Sequence, residues 1–328
     1  MAAVAAAVVV AGCSGSGDEE ATTTQSFYLS LGDSLTVGVQ PDESGRAQET
    51  AEGYTDVLYR ELKDADSTLQ HERMGCGGED TTTFIEGGIA NCDTRYEAGS
   101  QLDQAEEFLR EHGDQVDLVT LTIGGNNFTN CVDGVQEDRD PELGLSAEDI
   151  GVNEECVADG LERLETEVPL IAERLTEAAG PDTQIIAMTY YNPFLALALL
   201  EEPEAEATEG EAEASEDEEA EEGAEGAEAV PAEDADEGLA ARTVEILGEV
   251  NESLTASYEA AGIDVADVDT VFDGANTEVP AGSDTGMPVN LQQICDLTWM
   301  CNVAQGPDIH TNLAGAQAIA EVFSGELR

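Results

Sequence analysis

Short apolar runs alternate along this chain with longer segments whose apolar residues recur at helical spacing. Phe27-Tyr28-Leu29-Ser30-Leu31 is rich in aromatic and aliphatic side chains and stops at Gly32, which predicts a first strand. Tyr54, Val57, Leu58 and Leu62 share one helix face, and a second strand is expected just before Met74. Leu118-Val119-Thr120-Leu121-Thr122-Ile123 reads as a buried strand ending at Gly124-Gly125. Leu161, Leu164, Val168 and Leu175 predict a long helix bent at Pro169, and Ile185-Ile186-Ala187-Met188 a further strand. A helix across 239–261 precedes Ile263-Asp264-Val265, and Leu313, Ala316, Ile319 and Phe323 make a terminal amphipathic helix. Strands alternating with helices imply an α/β fold, a three-layer α/β/α sandwich around a central parallel sheet. Ligands of such sheets bind beyond the carboxyl ends of the strands.

One segment breaks the pattern. Residues 201–238 hold 19 acidic residues and no basic ones among Ala, Gly, Thr, Ser and Pro. Such a run buries no apolar surface and repels itself, so a disordered acidic surface insertion is expected between a strand and the next helix. Removing it from the formal charge of −62 still leaves 54 acidic against 11 basic residues. A surface this negative repels nucleic acid and anionic lipid, which excludes a nucleic-acid-binding role. Lys63 is the one lysine. An acid-rich, nearly lysine-free chain is what work in concentrated salt calls for, because salt shortens the reach of self-repulsion from about 10 Å at 0.1 M to about 3 Å at 1 M. A halophilic protein is the expectation.

The amino terminus reads as an address. Residues 2–12 are an unbroken Ala/Val/Gly stretch, too short to span a bilayer, which takes about 20 residues. The stretch fits the apolar region of a secretory signal, although no Lys or Arg precedes it. Val10-Ala11-Gly12-Cys13 resembles a bacterial lipobox, which implies lipidation at Cys13. The expected organisation is a lipoprotein-type signal at 1–12, a flexible tether at 13–25, and a folded domain at 26–328 interrupted by the acidic insertion at 201–238. The expected location is extracellular, with Cys13 the only link to the membrane. Six further cysteines suit a disulfide framework in an oxidising compartment. Six allow fifteen pairings; pairing neighbours in sequence gives Cys76–Cys92, Cys131–Cys156 and Cys295–Cys301. None has the C-x-x-C spacing of a zinc site, and with three histidines in the chain no metal or other cofactor is expected.

Candidate chemistry gathers at the strand ends. Gly32-Asp33-Ser34-Leu35 follows the first strand, where a Ser at a Gly turn opening a helix would be exposed as a nucleophile with its own N–H beside it. Met74-Gly75-Cys76-Gly77-Gly78 has a backbone free enough to aim an N–H at a small anion. Gly124-Gly125-Asn126-Asn127 puts an amide at the same sheet edge, and Pro307-Asp308-Ile309-His310 precedes the last helix. His71 and His112 lie in polar stretches and read as surface residues; His310 has a carboxylate two residues before it.

Together these residues resemble the GDSL family of SGNH hydrolases, whose signature order Ser, Gly, Asn, His is matched by Ser34, Gly78, Asn126 and His310. The likeness runs from about Phe27 to Leu327 outside the insertion, and the cysteines with Thr298-Trp299-Met300-Cys301 look like the disulfide-bearing secreted bacterial esterases and lipases. It implies a flavodoxin-like fold, a Ser34 nucleophile with His310 as base, and an oxyanion hole from the Ser34 N–H, Gly78 N–H and Asn126 amide. The implied partner is a small-molecule or lipid ester, and a monomer is expected. An acetylated polysaccharide is the alternative substrate, and a non-catalytic acidic binding lipoprotein the alternative class. Two positions depart from the family pattern. Its usual acid lies three residues before the His, where this chain has Pro307, so either Asp308 or a main-chain carbonyl orients His310. The Asp that follows the signature Asn is Asn127 here, which bears on loop packing.

Overall fold

The elements in chain order are β1 (Phe27–Gly32), β2 (Val39–Pro41), β3 (Ala47–Glu49), α1 (Tyr54–Ala65), β4 (Gln70–Arg73), α2 (Thr81–Glu86), α3 (Gln101–His112) and β5 (Val116–Thr122). There follow β6 (Val132–Asp133), β7 (Gly151–Val152), α4 (Glu154–Ala178), β8 (Gln184–Met188), α5 (Leu239–Ala260), β9 (Asp264–Ala266), α6 (Val268–Phe272), α7 (Val289–Leu297) and α8 (Leu313–Gly325). This computed structural model describes residues 25–90, 92, 94–133, 151–200, 238–283, 285–302, 304 and 306–328. The signal-like stretch with Cys13, the tether to Thr24 and the acidic run from 201 to 237 lie outside the described residues.

The main sheet has five parallel strands in the order β4-β1-β5-β8-β9. Counting sheet strands alone this is 2-1-3-4-5, the doubly wound order in which the chain reverses direction between the first and third strands. The reversal sorts the helices. Right-handed crossovers put α1, which leads outward to β4, on one face, and α3, α4 and α5, which lead back across the sheet, on the other. The packing agrees: α4 lies between α3 and α5, while α1 packs on α8. There the buried rings of Tyr54 and Phe323 stack at 4.8 Å, and burying each ring contributes on the order of 1.5–3 kcal/mol.

Strands covered on both faces read as continuous apolar runs, which is why β1, β5 and β8 are visible in the sequence. Their polar members find partners inside: Tyr28 Oη and Thr120 Oγ1 lie 2.8 Å apart, and Tyr54 Oη and Thr122 Oγ1 2.6 Å. Pro169 lies inside α4, which runs as one helix from Glu154 to Ala178. Leu313 does not belong to the buried face of the terminal helix; it is 44% exposed at the first turn of α8, while Ala316, Ile319 and Phe323 are buried. His71 is not a plain surface histidine. It stacks on Tyr28 at 4.5 Å with Nε2 2.9 Å from Ser30 Oγ, and burial pushes its imidazole down to about 3. His112 packs on Phe27 and Phe108.

Registering Leu31 with Leu121 and Gly32 with Thr122 brings the carboxyl ends of β1 and β5 side by side at the reversal. Ser34 follows the first of these ends and Asn126 the second.

Candidate active site

Gly32 ends β1 at φ +127, and a Cβ there would sit 1.9 Å from the Thr122 carbonyl oxygen, so glycine alone fits. The Asp33 N–H then donates to Thr122 O at 2.9 Å, carrying the β1–β5 pairing one residue further. The Asp33 carboxylate turns inward, accepting from Leu35 N–H at 2.9 Å and Tyr190 Oη–H at 2.5 Å. Burial pushes that carboxyl up to about 6, against the lowering effect of these bonds and of nearby His310. Residues 33–38 form turns leading into β2, and the Val39 N–H closes on Ser34 O at 2.9 Å. The expected helix after Ser34 is therefore absent; α1 begins only at Tyr54, so no helix terminus supports Ser34.

The second loop leaves β4. The Cys76–Cys92 disulfide ties it down, Tyr96 Oη–H donates to Met74 O at 2.7 Å, and an Arg95 guanidinium N–H donates to Gly75 O at 2.8 Å. Gly77 lies against Ser34, since a Cβ built there would stand 3.9 Å from the Ser34 Cβ. Gly78 follows at φ +85, a left-handed conformation that aims its peptide differently from its neighbours. Neither the Ser34 N–H nor the Gly78 N–H is taken up by a main-chain acceptor among the described residues.

The third loop leaves β5. Asn126 Nδ2 donates to Glu79 O at 2.9 Å while its Oδ1 accepts from Thr129 Oγ1–H at 3.0 Å, which fixes the flip of the amide and leaves one N–H spare. Asn127 is buried: its Oδ1 accepts from Thr81 N–H at 3.1 Å, and its Nδ2 donates to Thr81 Oγ1 at 2.8 Å. The amide thus ties the third loop to the second. The Cys131–Cys156 disulfide joins the end of this loop to α4.

The fourth piece precedes α8. His310 is 7% exposed, and its Nδ1 lies 2.7 Å from Asp308 Oδ1, which also accepts the His310 main-chain N–H at 2.9 Å. A carboxylate two residues ahead therefore reaches the imidazole by curling back over a tight turn. Burial alone would raise the Asp308 carboxyl; its bond to the imidazole and the His310 charge outweigh that and hold it below the usual range. The turn is anchored from both sides. Trp299 N–H donates to His310 O at 2.9 Å, Tyr191 Oη–H donates to Ile309 O at 2.7 Å, and Cys295–Cys301 closes the segment carrying Trp299.

Ser34, Asn126 and His310 line one cavity of about 110 Å³. Its other walls include Leu35, Phe128, Val152, Phe194, Ile246 and Val250, so the space beside the polar trio is apolar. Sequence reasoning missed this wall, although Tyr190-Tyr191-Asn192-Pro193-Phe194 stands directly after β8, at the same sheet edge as the other loops. It also missed Asp33, Glu79 and Gln101, whose roles depend on partners distant in the chain.

Residues 30–318 match the model of the GDSL-like lipase/acylhydrolase family. The chain belongs to that family. Among solved structures, similar folds include an extracellular lipase from Streptomyces rimosus, at 16% identity over 92% of this chain and 99% of the other, with a TM-score of 0.46. A phospholipase A1 from Streptomyces albidoflavus NA297 is 15% identical over 92% of this chain and all of the other, with a TM-score of 0.47. A variant of an acetyl xylan esterase from Geobacillus stearothermophilus is 14% identical over 92% and 94%, with a TM-score of 0.43. No curated protein matches the sequence. As a GDSL-like family member the chain is a hydrolase of the lipase and esterase kind. Among its described residues no helix is long and apolar enough to cross a membrane.

Proposed function

We propose that this protein is an extracellular serine esterase that cleaves carboxylic esters with an apolar acyl group through an acyl-enzyme. Ser34 Oγ attacks the ester carbonyl while His310 takes its proton, and Asp308 holds the imidazole by Nδ1 and balances the charge it gains. The carbonyl oxygen, now negative, is received by the Ser34 N–H, the Gly78 N–H and the spare N–H of Asn126; losing one such donor costs about 2.7–4 kcal/mol of transition-state stabilisation. His310 then protonates the departing alcohol, and water, activated by the same imidazole, releases the acid from Ser34.

The observation that carries this reading is the 2.7 Å contact of Asp308 with His310 Nδ1, on a histidine that shares one cavity with Ser34 and Asn126. The apolar walls favour an aliphatic acyl chain over the acetyl group of a polysaccharide, because that surface gains about 25 cal/mol per Å² only when apolar matter covers it. The three disulfides fit an oxidising compartment, and Val10-Ala11-Gly12-Cys13 supports a lipid anchor at Cys13. The test is hydrolysis of p-nitrophenyl acetate, butyrate and octanoate in molar salt, wild type beside Ser34→Ala. The reading requires loss of activity in Ser34→Ala and a preference for the longer chains. Equal rates for the two proteins would refute the serine mechanism, and a preference for acetate would return the polysaccharide alternative. For the anchor, Cys13→Ala should release the protein from membranes, and unchanged fractionation would remove the lipobox reading.

A further inference from the structure

Two buried polar side chains beside the site take no part in the chemistry above. Gln101, the first residue of α3, is fully buried, and Glu79, directly after Gly78, is 1% exposed. Gln101 grips the peptide at the end of β1 from both sides: its Oε1 accepts the Gly32 N–H at 2.6 Å, and its Nε2 donates to Gly32 O at 3.1 Å. The same Nε2 donates to Glu79 Oε2 at 3.0 Å. Glu79 in turn accepts the Asn126 Nδ2–H on its main-chain oxygen at 2.9 Å. One chain of bonds therefore runs from the turn that carries Ser34, through Gln101 and Glu79, to the Asn126 amide, with Gly78 held between its members.

We infer that Gln101 and Glu79 are positioning residues that set the spacing between the Ser34 turn and the oxyanion donors Gly78 and Asn126. The inference rests on the serine-esterase reading. Each bond of the clamp ends within two residues of a proposed reacting group. Every attachment is also to a main chain or to a buried partner, so it transmits position with little slack. Other anchors hold the loops individually: Cys76–Cys92 and Tyr96 fasten the Gly78 loop, and the Thr122 carbonyl fastens Asp33. The Cys76 N–H also donates to Gly32 O at 2.9 Å, and the Asn126 and Asn127 amides tie the third loop to the second; to these the Gln101–Glu79 bond adds a link between the Ser34 turn and the Gly78 loop made through side chains. A displacement of the order of 1 Å in such a constellation costs about a hundredfold in rate.

The test is steady-state kinetics of the full chain on a p-nitrophenyl ester, with folding checked by near-UV circular dichroism and melting. Gln101→Leu should lower kcat about tenfold to a hundredfold with KM within about threefold of wild type, the signature of an interaction made in the transition state. Glu79→Ala should do the same. Glu79→Gln keeps an acceptor for Gln101 Nε2 and should retain kcat within about threefold. Rescue of that kind separates positioning from general loss of structure, and it remains readable if Gln101→Leu fails to fold. Wild-type kcat in Gln101→Leu or Glu79→Ala would overturn the inference, as would equal losses in Glu79→Gln and Glu79→Ala. Ser34→Ala separates the two levels. If it is active the serine reading itself falls; if it is dead while the clamp variants are unimpaired, the clamp alone falls.

Discussion

Asp308 is the residue on which sequence and geometry bear most sharply, because it sits one position nearer His310 than the family spacing. Its Oδ1 accepts from both His310 Nδ1 and the His310 main-chain N–H, at 2.7 and 2.9 Å. Asp308→Asn leaves size and shape nearly unchanged and removes the charge. In the resting enzyme a carbonyl oxygen at the same place still accepts both bonds. The difference appears when the imidazole takes the Ser34 proton and becomes a cation facing a neutral amide. A hydrogen bond to a charged group contributes about 1.5–3 kcal/mol. Each 1.36 kcal/mol is a factor of ten in rate, so kcat should fall about tenfold to 150-fold. Because the loss arises only once the imidazolium forms, KM should stay within about threefold. The side chain of Asp308 is 14% exposed, so salt in the assay screens the interaction only partly. The assay is kcat and KM on p-nitrophenyl butyrate at pH 7.5 in molar salt, with the folded fraction matched by circular dichroism. A kcat within about threefold of wild type would show that the main chain, held by Trp299 and Tyr191, orients the imidazole unaided. The charge of Asp308 would then be irrelevant to catalysis.

Three further outcomes follow from particular contacts. Asn127→Asp, which restores the family residue, should destabilise the protein by about 1–3 kcal/mol, because a carboxylate cannot donate to Thr81 Oγ1, a hydroxyl that already bonds Glu167; a raised melting temperature would contradict this. Burial, opposed by bonds from Gln101, Thr83 and Tyr96 and reinforced by Asp80, pushes the Glu79 carboxyl from 4.5 up to about 7. The folded state therefore holds this proton more tightly than the unfolded one, and the penalty for Glu79 builds as pH rises from about 4.5 through 7, to on the order of 3 kcal/mol. Urea unfolding of Glu79→Gln against wild type from pH 5 to 8 should show the variant gaining relative stability toward the alkaline end, and parallel curves would remove the argument. The melting temperature should also rise between about 0.1 M and 1 M salt, as screening tightens from roughly 10 to 3 Å; a flat or falling response would contradict the saline reading.

The parts legible in the sequence are those written in neighbouring residues. Leu118 to Ile123 is apolar because β5 is covered on both faces, and the Gly-rich ends of β1 and β5 announce backbone that side chains would obstruct. Gly32 shows why: the Thr122 oxygen occupies the space a Cβ would need. Ser34, Gly78 and Asn126 are visible as motifs after β1, β4 and β5, whose carboxyl ends the doubly wound order brings to one edge, and His310 as a motif before α8. The parts not legible depend on pairs far apart in the chain. Gln101 reads as an ordinary residue at a helix start, and only the pairing of β1 beside α3 turns it toward Gly32. Phe194 and Ile246 lie on either side of the acidic run in sequence yet line the same cavity. The turn after Ser34 reads as a helix start because Asp-Ser is also capping chemistry; here the Asp33 carboxylate is buried against Tyr190 and caps only Leu35 N–H.

A strongly negative protein proposed to hold an oxyanion faces a conflict, and the placement of its few cations addresses it. The chain has 11 basic residues, and three of them brace loops around the site. Arg73 donates to the carbonyls of Val37 and Thr50, at 2.9 Å each, behind the Ser34 turn. Arg95 holds Gly75 O in the loop of Gly78, and Arg163 bonds Asp80 at 2.8 Å and Asn127 O at 3.0 Å, between the second and third loops. Each guanidinium is about one third exposed, so its bonds survive salt that screens charges farther out. The acids nearest the site are treated locally too. Asp308 faces His310, Asp80 faces Arg163, and Asp33 and Glu79 are buried and pushed toward neutrality. The proposed oxyanion donors are peptide and amide dipoles, which act at hydrogen-bond range and do not depend on net charge. Distance thus settles the conflict: bonds near 3 Å govern the site, while the acidic coat acts over lengths that concentrated salt removes.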